Sequence, residues 1–304
     1  MDDVLNRPAE KPVKIVVASG KGGTGKTSVA VNMAVSCGVP VVLLDCDAEA
    51  PNAHLFFRRG QIDIENSCHD EFFDSIEEFP VSVPEFNNAL CNGCGFCKTV
   101  CKFNAITMIL AKPLFFPELC HSCEACFRVC SMGAITAANK MIGKIRRKKI
   151  NGELDLVDGI MNVSEAKSPP LIKKIIKKYS GPAVTIIDAP PGTSCPMVAA
   201  AYSADYVILV TEPTPFGLSD LKLAVNAMRE LKVRFGVVIN KYDGDFGEVK
   251  TWCESEKIDI IGIIPFELKI AQVYSGGGII ADELPHTRAL FSKLFERAVS
   301  EAVK

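Results

Sequence analysis

The chain has 304 residues, of which 48% are hydrophobic and 23% are charged, with 34 lysines and arginines against 36 aspartates and glutamates. This composition predicts a globular protein with a large buried core and excludes a mainly disordered chain. The near balance of charge argues against a protein that coats nucleic acid, because such proteins need a strongly basic face. We therefore expect no nucleic-acid partner.

No apolar run in the sequence approaches the ~18 residues of a membrane-spanning helix, and the start of the chain lacks the basic and apolar regions of a signal peptide. The amphipathic segment 286–304 lacks the bulky, strongly basic face of a membrane-surface helix, so we expect it to pack on the core. The sequence therefore predicts a cytoplasmic protein without stable membrane insertion.

Short, continuous apolar runs alternate with helix-length amphipathic segments along most of the chain. Such runs are typical of strands buried on both faces of a parallel sheet, and their alternation with helices implies right-handed crossovers. We therefore predict an α/β fold with a doubly wound, mostly parallel sheet. The predicted strands are residues 13–18, 41–45, 183–188, 206–211, 235–240 and 258–265, and the clearest helices are 217–231 and 246–256.

The first predicted strand is followed by GKGGTGKT, residues 20–27, which matches the P-loop pattern G-x-x-x-x-G-K-[ST] between a strand and a helix. Glycines allow successive backbone N–H groups to point at phosphate oxygens, where the helix dipole also favours anions. In this pattern Lys26 reaches the β- and γ-phosphates, and the Thr27 hydroxyl binds magnesium. The expected nucleotide-binding residues of this loop are Gly20, Gly22, Gly23, Thr24, Gly25, Lys26, Thr27 and Ser28.

Cysteine is concentrated in one window, because eight of the 13 cysteines lie between residues 91 and 130. Segment 91–107 aligns with 120–136, and each copy reads C-x2-C-x2-C-x3-C. Disulfides are rare in a reducing cytoplasm, so this cluster indicates metal or redox chemistry. In the bacterial ferredoxin run, three cysteines bind one iron–sulfur cube and the fourth binds the other. The predicted 4Fe-4S ligand sets are Cys91, Cys94, Cys97 and Cys130 for one cluster, and Cys101, Cys120, Cys123 and Cys126 for the second.

Zinc is the main alternative for these cysteines, since four-cysteine zinc sites also use C-x2-C pairs. Two consecutive four-cysteine runs exceed what a zinc site needs, which favours two iron–sulfur clusters. The ferredoxin run usually ends in Cys-Pro, whereas Lys102 and Ser131 follow the fourth cysteines here. This difference leaves ligation intact and makes the cluster potentials less predictable.

Two charge runs flank the cysteine window. Residues 61–97 contain eight carboxylates and no lysine or arginine, while residues 140–150 contain six cationic side chains and no acid. Solvated surface is the simple interpretation. The alternative is that the two runs orient a redox partner through complementary fields.

A second lysine, Lys21, makes KGGTGKT the deviant Walker A signature. Three further motifs follow: DCD at 45–47 ends the second predicted strand, DAPPG at 188–192 ends a later strand, and Asn240 closes another. With these motifs the chain resembles the deviant Walker A P-loop ATPases, which include MinD and ParA, the nitrogenase iron protein and the Mrp-like iron–sulfur carriers.

The resemblance covers about residues 13–60 and 150–300, with the cysteine window between them. The chain is therefore most similar to the members of this family that carry an inserted two-cluster ferredoxin domain. The predicted division is a P-loop ATPase domain in two parts, residues 1–85 and 141–304, with a small α+β ferredoxin-like domain inserted at 86–140.

The resemblance also implies roles for single residues. The implied catalytic residues are Lys21, which crosses a dimer interface to the partner's nucleotide, Lys26, which binds phosphate, and Asp47, which orients the attacking water. The implied magnesium site contains Thr27, Asp45, Asp47 and Asp188. Asn240 is implied to recognise the base, and the loop beside the adenine contains Pro265, Phe266 and Glu267. The implied activity is slow, magnesium-dependent ATP hydrolysis that a partner stimulates, in an ATP-dependent dimer of this chain or with a similar ATPase.

Three functions are compatible with these motifs. In the first, which the two complete ligand sets favour, ATP binding and hydrolysis gate electron transfer through the two clusters to a protein partner. In the second, the protein is an ATP-dependent carrier or assembly factor that passes iron–sulfur or other metal clusters to a partner. In the third, it is a positioning ATPase whose clusters are structural. Mrp-like carriers typically hold a shared cluster on a C-x2-C pair near the chain end, which is absent here. A redox role of Cys46 and Cys195, which lie within and just after the aspartate motifs, stays open.

Overall fold

The structure, a computed structural model, describes residues 12–58, 70–163, 165, 167–181 and 184–304. The strands are β1 Val13–Ala18, β2 Val41–Asp45, β3 Ser75–Phe86, β4 Ile106–Ile109, β5 Lys112–Phe115, β6 Ile135–Lys149, β7 Leu154–Met161, β8 Val184–Asp188, β9 Tyr206–Thr211, β10 Phe235–Tyr242 and β11 Ile260–Pro265. The helices are α1 Lys26–Ser36, α2 Phe96–Val100, α3 Ala125–Val129, α4 Ser168–Tyr179, α5 Cys195–Ala201, α6 Pro215–Leu231, α7 Val249–Ser255, α8 Leu268–Ser275, α9 Ile280–Glu283 and α10 Pro285–Ala302. Short 3₁₀ helices occur at Ala53–Phe57, Asp70–Phe72 and Pro117–Leu119.

Among the described residues, nine strands form one sheet in the order β11-β10-β9-β1-β8-β2-β7-β6-β3. All neighbours from β11 to β7 are parallel. Hydrogen bonds from Ile150 N to Leu154 O and from Asn162 N to Ile142 O make β6 antiparallel to β7. The mostly parallel α/β sheet with alternating helices confirms the predicted fold class.

The centre of the sheet is apolar on both faces, as the continuous hydrophobic runs predict. Every residue of β9 is buried, and five of the six residues of β1 are buried. Helix α10 contributes the fully buried Phe295 and the nearly fully buried Phe291 to the same core cluster as Ile15 of β1. The carboxy-terminal helix therefore lies on the core, as expected. No helix within the described residues is long and apolar enough to cross a membrane.

The sequence did not predict strands β3, β6 and β7. Strand β6 carries the basic run and β3 carries part of the acidic run, so neither has the continuous apolar pattern of the central strands. A hydrogen bond from Asp74 N to Arg147 O joins them. Antiparallel strands toward one side of a sheet tolerate alternating charge, because only one face of each must be buried.

The chain divides into two compact units. The first consists of Met1–Glu77, Ile145–Ile160 and Leu171–Lys304, and the second of Glu78–Lys144 and Met161–Pro170. The second unit contains the cysteine window, the β4–β5 hairpin and helices α2 and α3. The segment predicted as an insertion, 86–140, lies within it.

The sequence repeat of the second unit is also a backbone repeat. Helices α2 and α3 each have five residues and begin at positions that are equivalent in the two copies. Left-handed residues recur at equivalent positions too, in the pairs Gly93 and Ser122, Gly95 and Glu124, and Asn104 and Gly133. The two copies therefore turn their chains in the same way around their cysteines.

Candidate nucleotide site and cysteine cavities

The P-loop connects the end of β1 to the start of α1. Gly23 and Gly25 adopt φ values of 80° and 91°, which side chains with a Cβ rarely accept. A Cβ on Gly25 would also lie 2.4 Å from Nδ2 of Asn240. Lys26 is buried at the first position of α1, and the Thr24 hydroxyl is buried without a hydrogen-bond partner among the described residues. The loop therefore has the conformation and the open donors that a phosphate chain requires.

A candidate magnesium site lies between α1 and the end of β8. The Thr27 hydroxyl donates a hydrogen bond of 2.5 Å to Oδ2 of Asp188. The other carboxylate oxygen, Oδ1, is buried and has no partner within the described structure. A hydroxyl beside a buried, unsatisfied carboxylate fits Mg²⁺, which prefers oxygen ligands and retains several of its waters.

The structure brings Asp45 next to Asp188 but gives it other partners. The two residues are directly paired in register at the ends of β2 and β8. Oδ2 of Asp45 accepts hydrogen bonds from the backbone N–H groups of Asn52 and Ala53, at 2.8 and 2.9 Å, and Oδ1 accepts one from Asp47 N at 3.1 Å. Asp45 therefore shapes the loop that carries Asp47.

Buried negative charge dominates the electrostatics of this edge of the sheet. Burial raises the pKa of Asp188 to about 7, although the Lys26 ammonium and the Thr27 hydroxyl oppose the shift. Burial, together with the charge of Asp188, raises the pKa of Asp45 well above its usual range. Burial also raises the pKa of Asp47, against the effect of Lys26. A divalent cation would compensate this charge.

One buried ion pair beside this site was not predicted. Arg146 of β6 is 1% exposed and donates from Nε and Nη2 to the two carboxylate oxygens of Asp158, at 2.8 and 2.9 Å. Asp158 is paired in register with Asp45 on the neighbouring strand. The sequence offered only the alternation of the basic run as a signal, since the acid that Arg146 binds lies on another strand.

Asn240 and Lys241 bind the P-loop itself. Nδ2 of Asn240 donates to the Thr24 carbonyl at 2.7 Å, and Nζ of Lys241 donates to the Gly23 carbonyl at 3.1 Å. Asn240, implied to recognise the base, therefore holds the loop in this structure. Pro265, Phe266 and Glu267 lie at the end of β11 and before α8, and Phe266 is 57% exposed.

Lys21 lies beside an acid of its own chain. Its Nζ atom is 3.6 Å from Oε2 of Glu212, whose Oε1 atom accepts a hydrogen bond of 2.6 Å from Lys241. Glu212 follows β9, next to β1 in the sheet. In the single chain Lys21 therefore has a partner in cis, and no motif in the sequence points to Glu212.

Each predicted set of four cysteines lines one cavity of the second unit. The first cysteine cavity is lined by Cys91, Cys94, Cys97 and Cys130. The second cysteine cavity is lined by Cys101, Cys120, Cys123 and Cys126. In each cavity, three cysteines come from one copy of the repeat and the fourth comes from the other. No disulfide joins the described cysteines, so their sulfurs are open to ligation.

The walls of both cavities are otherwise largely apolar. The first includes Phe86, Phe96, Met108, Pro113 and Met132. The second includes Phe103, Ile106, Phe115 and Phe127. No group of three or more histidine, cysteine, aspartate or glutamate side chains in the described parts of the chain is arranged to hold a single metal ion. Thiols in an apolar cavity fit an iron–sulfur cluster.

A buried lysine lies beside the second cysteine cavity. Nζ of Lys167 donates to the Pro117 carbonyl at 3.0 Å, and Cys120 N donates to the same oxygen at 3.2 Å. Burial lowers the pKa of Lys167, while the neighbouring Cys120 opposes the shift. In the same cavity, burial raises the pKa of Cys126 to about 11, so a positively charged ligand is needed to hold it as a thiolate.

The two charge runs largely pair within the chain. Five of the six cations between residues 140 and 150 form ion pairs: Lys140 with Glu165, Lys144 with Glu78, Arg146 with Asp158 and Asp70, Arg147 with Asp155, and Lys148 with Asp74. Asp63 and Glu65 of the acidic run lie outside the described residues. This pairing removes most of the charge that the partner-orienting interpretation requires.

Two cysteines near the nucleotide site differ in exposure. Cys46 is fully buried. Burial raises the pKa of its thiol well above the usual range, and the charges of the neighbouring carboxylates add to this shift. Cys195 is exposed at the start of α5. Cys46 is therefore poorly suited to reaction as a thiolate, whereas Cys195 is accessible.

Comparison with known proteins identifies relatives over nearly the whole chain. The profile of the CobQ/CobB/MinD/ParA nucleotide binding domain matches residues 15–278. An uncharacterized protein of Methanocaldococcus jannaschii is 31% identical, covering 86% of this chain and 89% of the relative. The iron–sulfur cluster carrier protein of Pyrococcus furiosus is 26% identical, covering 99% of this chain and 92% of the relative. The solved structure of the P. furiosus cell division ATPase MinD shares the fold, with a TM-score of 0.57 and 19% identity over 97% of this chain and all of that one.

Proposed function

Because the chain belongs to the CobQ/CobB/MinD/ParA nucleotide-binding family, we propose that it is a cytoplasmic nucleoside triphosphatase that carries or assembles iron–sulfur clusters. The observation that supports this proposal most strongly is the pair of cysteine cavities, each lined by four thiols from both copies of the repeat. The near full-length similarity to a protein named as an iron–sulfur cluster carrier supports it further.

The nucleotide half of the proposal assigns one task to each polar group. The backbone N–H groups of residues 20–25 and Lys26 bind the phosphates, while Thr27 and, through water, Asp188 hold magnesium. Magnesium would neutralise charge on the β- and γ-phosphates. Asp47, on the loop that Asp45 orders, orients the attacking water. Phosphoryl transfer needs little more than this positioning and charge compensation. ATP is the triphosphate that the resemblance implies, with slow hydrolysis that a partner accelerates.

Lys21 is the residue on which we base the proposal of a dimer. In the single chain its ammonium lies 3.6 Å from Glu212. We infer that nucleotide-driven dimerisation, with a second copy or a similar ATPase, moves Lys21 from Glu212 to the phosphates of the partner. Both side chains are partly exposed, at 32% and 17%, and the two charged atoms lie beyond hydrogen-bond distance, so such a pair contributes roughly 1 kcal/mol and the exchange costs little.

The cysteine half of the proposal assigns the two 4Fe-4S clusters to the two cavities. In this reading the clusters are the cargo, and their acceptor is an apo-protein partner. Thiolates on short loops at the surface of the second unit suit such transfer, because Cys94 and Cys123 are exposed while Cys126 is buried. Each cavity therefore has one exposed thiol that an acceptor could reach.

Electron transfer to a redox partner is the second candidate function. The complete set of four thiols in each cavity and the apolar walls favour it, because such surroundings suit permanent redox centres. The two functions differ in what leaves the protein, namely a whole cluster or an electron.

Metal analysis of anaerobically purified protein tests the assignment. We expect about eight iron and eight acid-labile sulfide per chain, the content of two cubes. Cys94→Ser should lower the iron content, whereas Cys195→Ser, which replaces an exposed cysteine outside both cavities, should leave it unchanged. One or two zinc ions per chain without sulfide would overturn the proposal.

Mixing experiments separate the two functions. The loaded protein is mixed anaerobically with an apo-ferredoxin, and iron bound to each protein is measured after separation. Transfer of iron and sulfide to the acceptor supports the carrier. Retention of all clusters, together with rapid oxidation by an artificial acceptor, supports electron transfer instead.

A further inference from the structure

The two cysteine cavities have equivalent ligands but bury them to different extents. Segment 91–107 corresponds to segment 120–136 residue by residue, so Cys97 of the first cavity is equivalent to Cys126 of the second. Cys126 is buried, whereas Cys97 is half-buried. The second set of thiols therefore contains one ligand that solvent hardly reaches, and the first set contains none. Restricted access of solvent protects a metal centre from loss of its metal.

A pair of stacked rings lines the second cavity and has no counterpart in the first. The rings of Phe103 and His121 have centroids 3.7 Å apart and planes inclined by 11°. The equivalent residues of the first cavity are Met132 and Asn92, which cannot form such a stack. Met132 is 48% exposed, and Phe96, another wall residue of the first cavity, is 62% exposed. Because stacked aromatic side chains hold one another in place, the wall of the second cavity is more rigid at this position.

A buried ammonium beside the second cavity lacks a counter-ion in the protein. Lys167 is 8% exposed, and its Nζ atom donates to the Pro117 carbonyl, which also accepts from Cys120 N. Within the described parts of the chain, no carboxylate forms an ion pair with Lys167. A buried charge is strongly unfavourable unless an opposite charge compensates it. Iron–sulfur clusters held by four thiolates are negatively charged, so a cluster on the thiolates beside Lys167 provides this compensation.

The first cavity has no comparable cation. Of the buried lysines and arginines among the described residues, Lys167 is the only one in the second unit. Lys112 lies beside the first cavity, but it is exposed, and its Nζ atom donates to the carbonyls of Asn88 and Cys91 at 2.6 and 3.1 Å. Water screens the charge of an exposed ammonium. Because Lys167 lies outside the repeat, it makes two otherwise similar cavities unequal.

We propose that the two cavities have different tasks: the first passes its cluster to an acceptor protein, and the second retains its cluster. This inference rests on the proposed cluster function and identifies the thiols that release the cargo. In the transfer, four acceptor thiols replace the four thiolates of the first cavity, so one iron–sulfur bond forms for each one that breaks. The protons that the acceptor thiols lose are taken up by the released cysteines, and no electron is exchanged.

Release of iron from the loaded full chain to an excess of a ferrous chelator, without oxygen, tests this division. We expect two phases of about four iron each, of which the slow one belongs to the second cavity. Variants at equivalent positions assign the phases. Cys97→Ala should retain only the slow phase, and Cys126→Ala only the fast one. With an apo-ferredoxin in place of the chelator, about four iron per chain should move to the acceptor and about four should stay.

Lys167→Gln tests the source of the difference while keeping all eight cysteines. The amide retains a donor for the Pro117 carbonyl and removes the charge. The slow phase should become about 10- to 100-fold faster, the usual effect of losing an outer partner of a metal centre, and the fast phase should not change. Lys102→Met, at an exposed lysine next to Cys101, is the matched control and should change neither phase. Because no ligand is altered, this variant assigns the slow phase even where a cysteine variant binds no iron.

The outcomes separate this inference from the proposed function. A single release phase in the wild type, faster release from the second set, or an unchanged slow phase in Lys167→Gln overturns the division and leaves the cluster proposal intact. Transfer of all eight iron to the acceptor at one rate also overturns it. Absence of iron and sulfide from the anaerobically purified wild type overturns the cluster proposal and the division together.

Discussion

Asp188→Asn should remove part of the pH dependence of stability that the buried carboxylates impose on the nucleotide-free protein. Asp188 is fully buried at the end of β8, and one of its oxygens has no hydrogen-bond partner among the described residues. Burial raises its pKa from 3.8 to about 7, more than Lys26 and Thr27 lower it. Ionisation of this carboxylate therefore destabilises the folded protein, because the unfolded chain exposes the same group to water.

The sign and size of the effect follow from the two pKa values. Because the folded-state pKa is higher, the folded protein holds a proton that the unfolded chain releases between about pH 4 and pH 7. The corresponding stability is complete below about pH 4 and is lost as the pH rises through about 7. One pKa unit corresponds to about 1.36 kcal/mol, so the free energy of unfolding falls by on the order of 4 kcal/mol over the whole range. About 2 kcal/mol of this loss occurs between pH 5.5 and pH 8.

Urea unfolding of the nucleotide-free, magnesium-free protein at pH 5.5 and pH 8 measures this loss. The wild type should lose about 2 kcal/mol more than Asp188→Asn over that interval. Asp45 is present in both proteins, and the Asp188 charge raises its pKa, so the difference between them reports on Asp188 together with its effect on Asp45. Asp259→Asn, at an exposed position, should behave as the wild type. Equal losses in the wild type and Asp188→Asn would refute the reasoning.

Two further predictions concern buried cations. Lys167→Met should lower the midpoint potential of the cluster in the second cysteine cavity by about 59 mV, a tenfold change for one electron, because a buried ammonium stabilises the reduced cluster. Lys112→Met removes an exposed ammonium beside the first cysteine cavity and should shift the potential much less, as titration by electron paramagnetic resonance would show. Arg146→Met should destabilise the protein by about 3–5 kcal/mol in urea unfolding, because it leaves Asp158 buried without its partner. Arg147→Met, at a pair whose arginine is 47% exposed, should cost no more than about 1 kcal/mol.

The parts of the fold that depend on local sequence patterns could be predicted from the sequence. Central strands such as β1 and β9 are buried on both faces, so they appear as continuous apolar runs. The P-loop could be predicted because the backbone conformation at Gly23 and Gly25 requires glycine. The two cysteine sets could be predicted because the spacing within the repeat determines which cysteines can bind the same cluster, although ligation itself stays a prediction.

The contacts between residues that are distant in the sequence could not be predicted. Arg146 and Asp158 lie on the two neighbouring strands β6 and β7, and Lys167 is 50 residues from the carbonyl it binds. Glu212, the partner of Lys21, carries no motif. The second oxygen of Asp45 is bound by N–H groups seven and eight residues further along. These contacts depend on how the chain packs, which composition and spacing do not specify.

The central claim is that the protein is a nucleoside triphosphatase that carries iron–sulfur clusters, and one measurement tests it most directly. Loaded protein is mixed anaerobically with an apo-ferredoxin, and the rate of cluster transfer is followed without nucleotide and with a saturating magnesium–nucleoside triphosphate. We expect the rate to change with nucleotide in the wild type and to be insensitive to it in Lys26→Ala, whose cysteines are unaltered. A transfer rate that is the same in both proteins under both conditions would contradict the account.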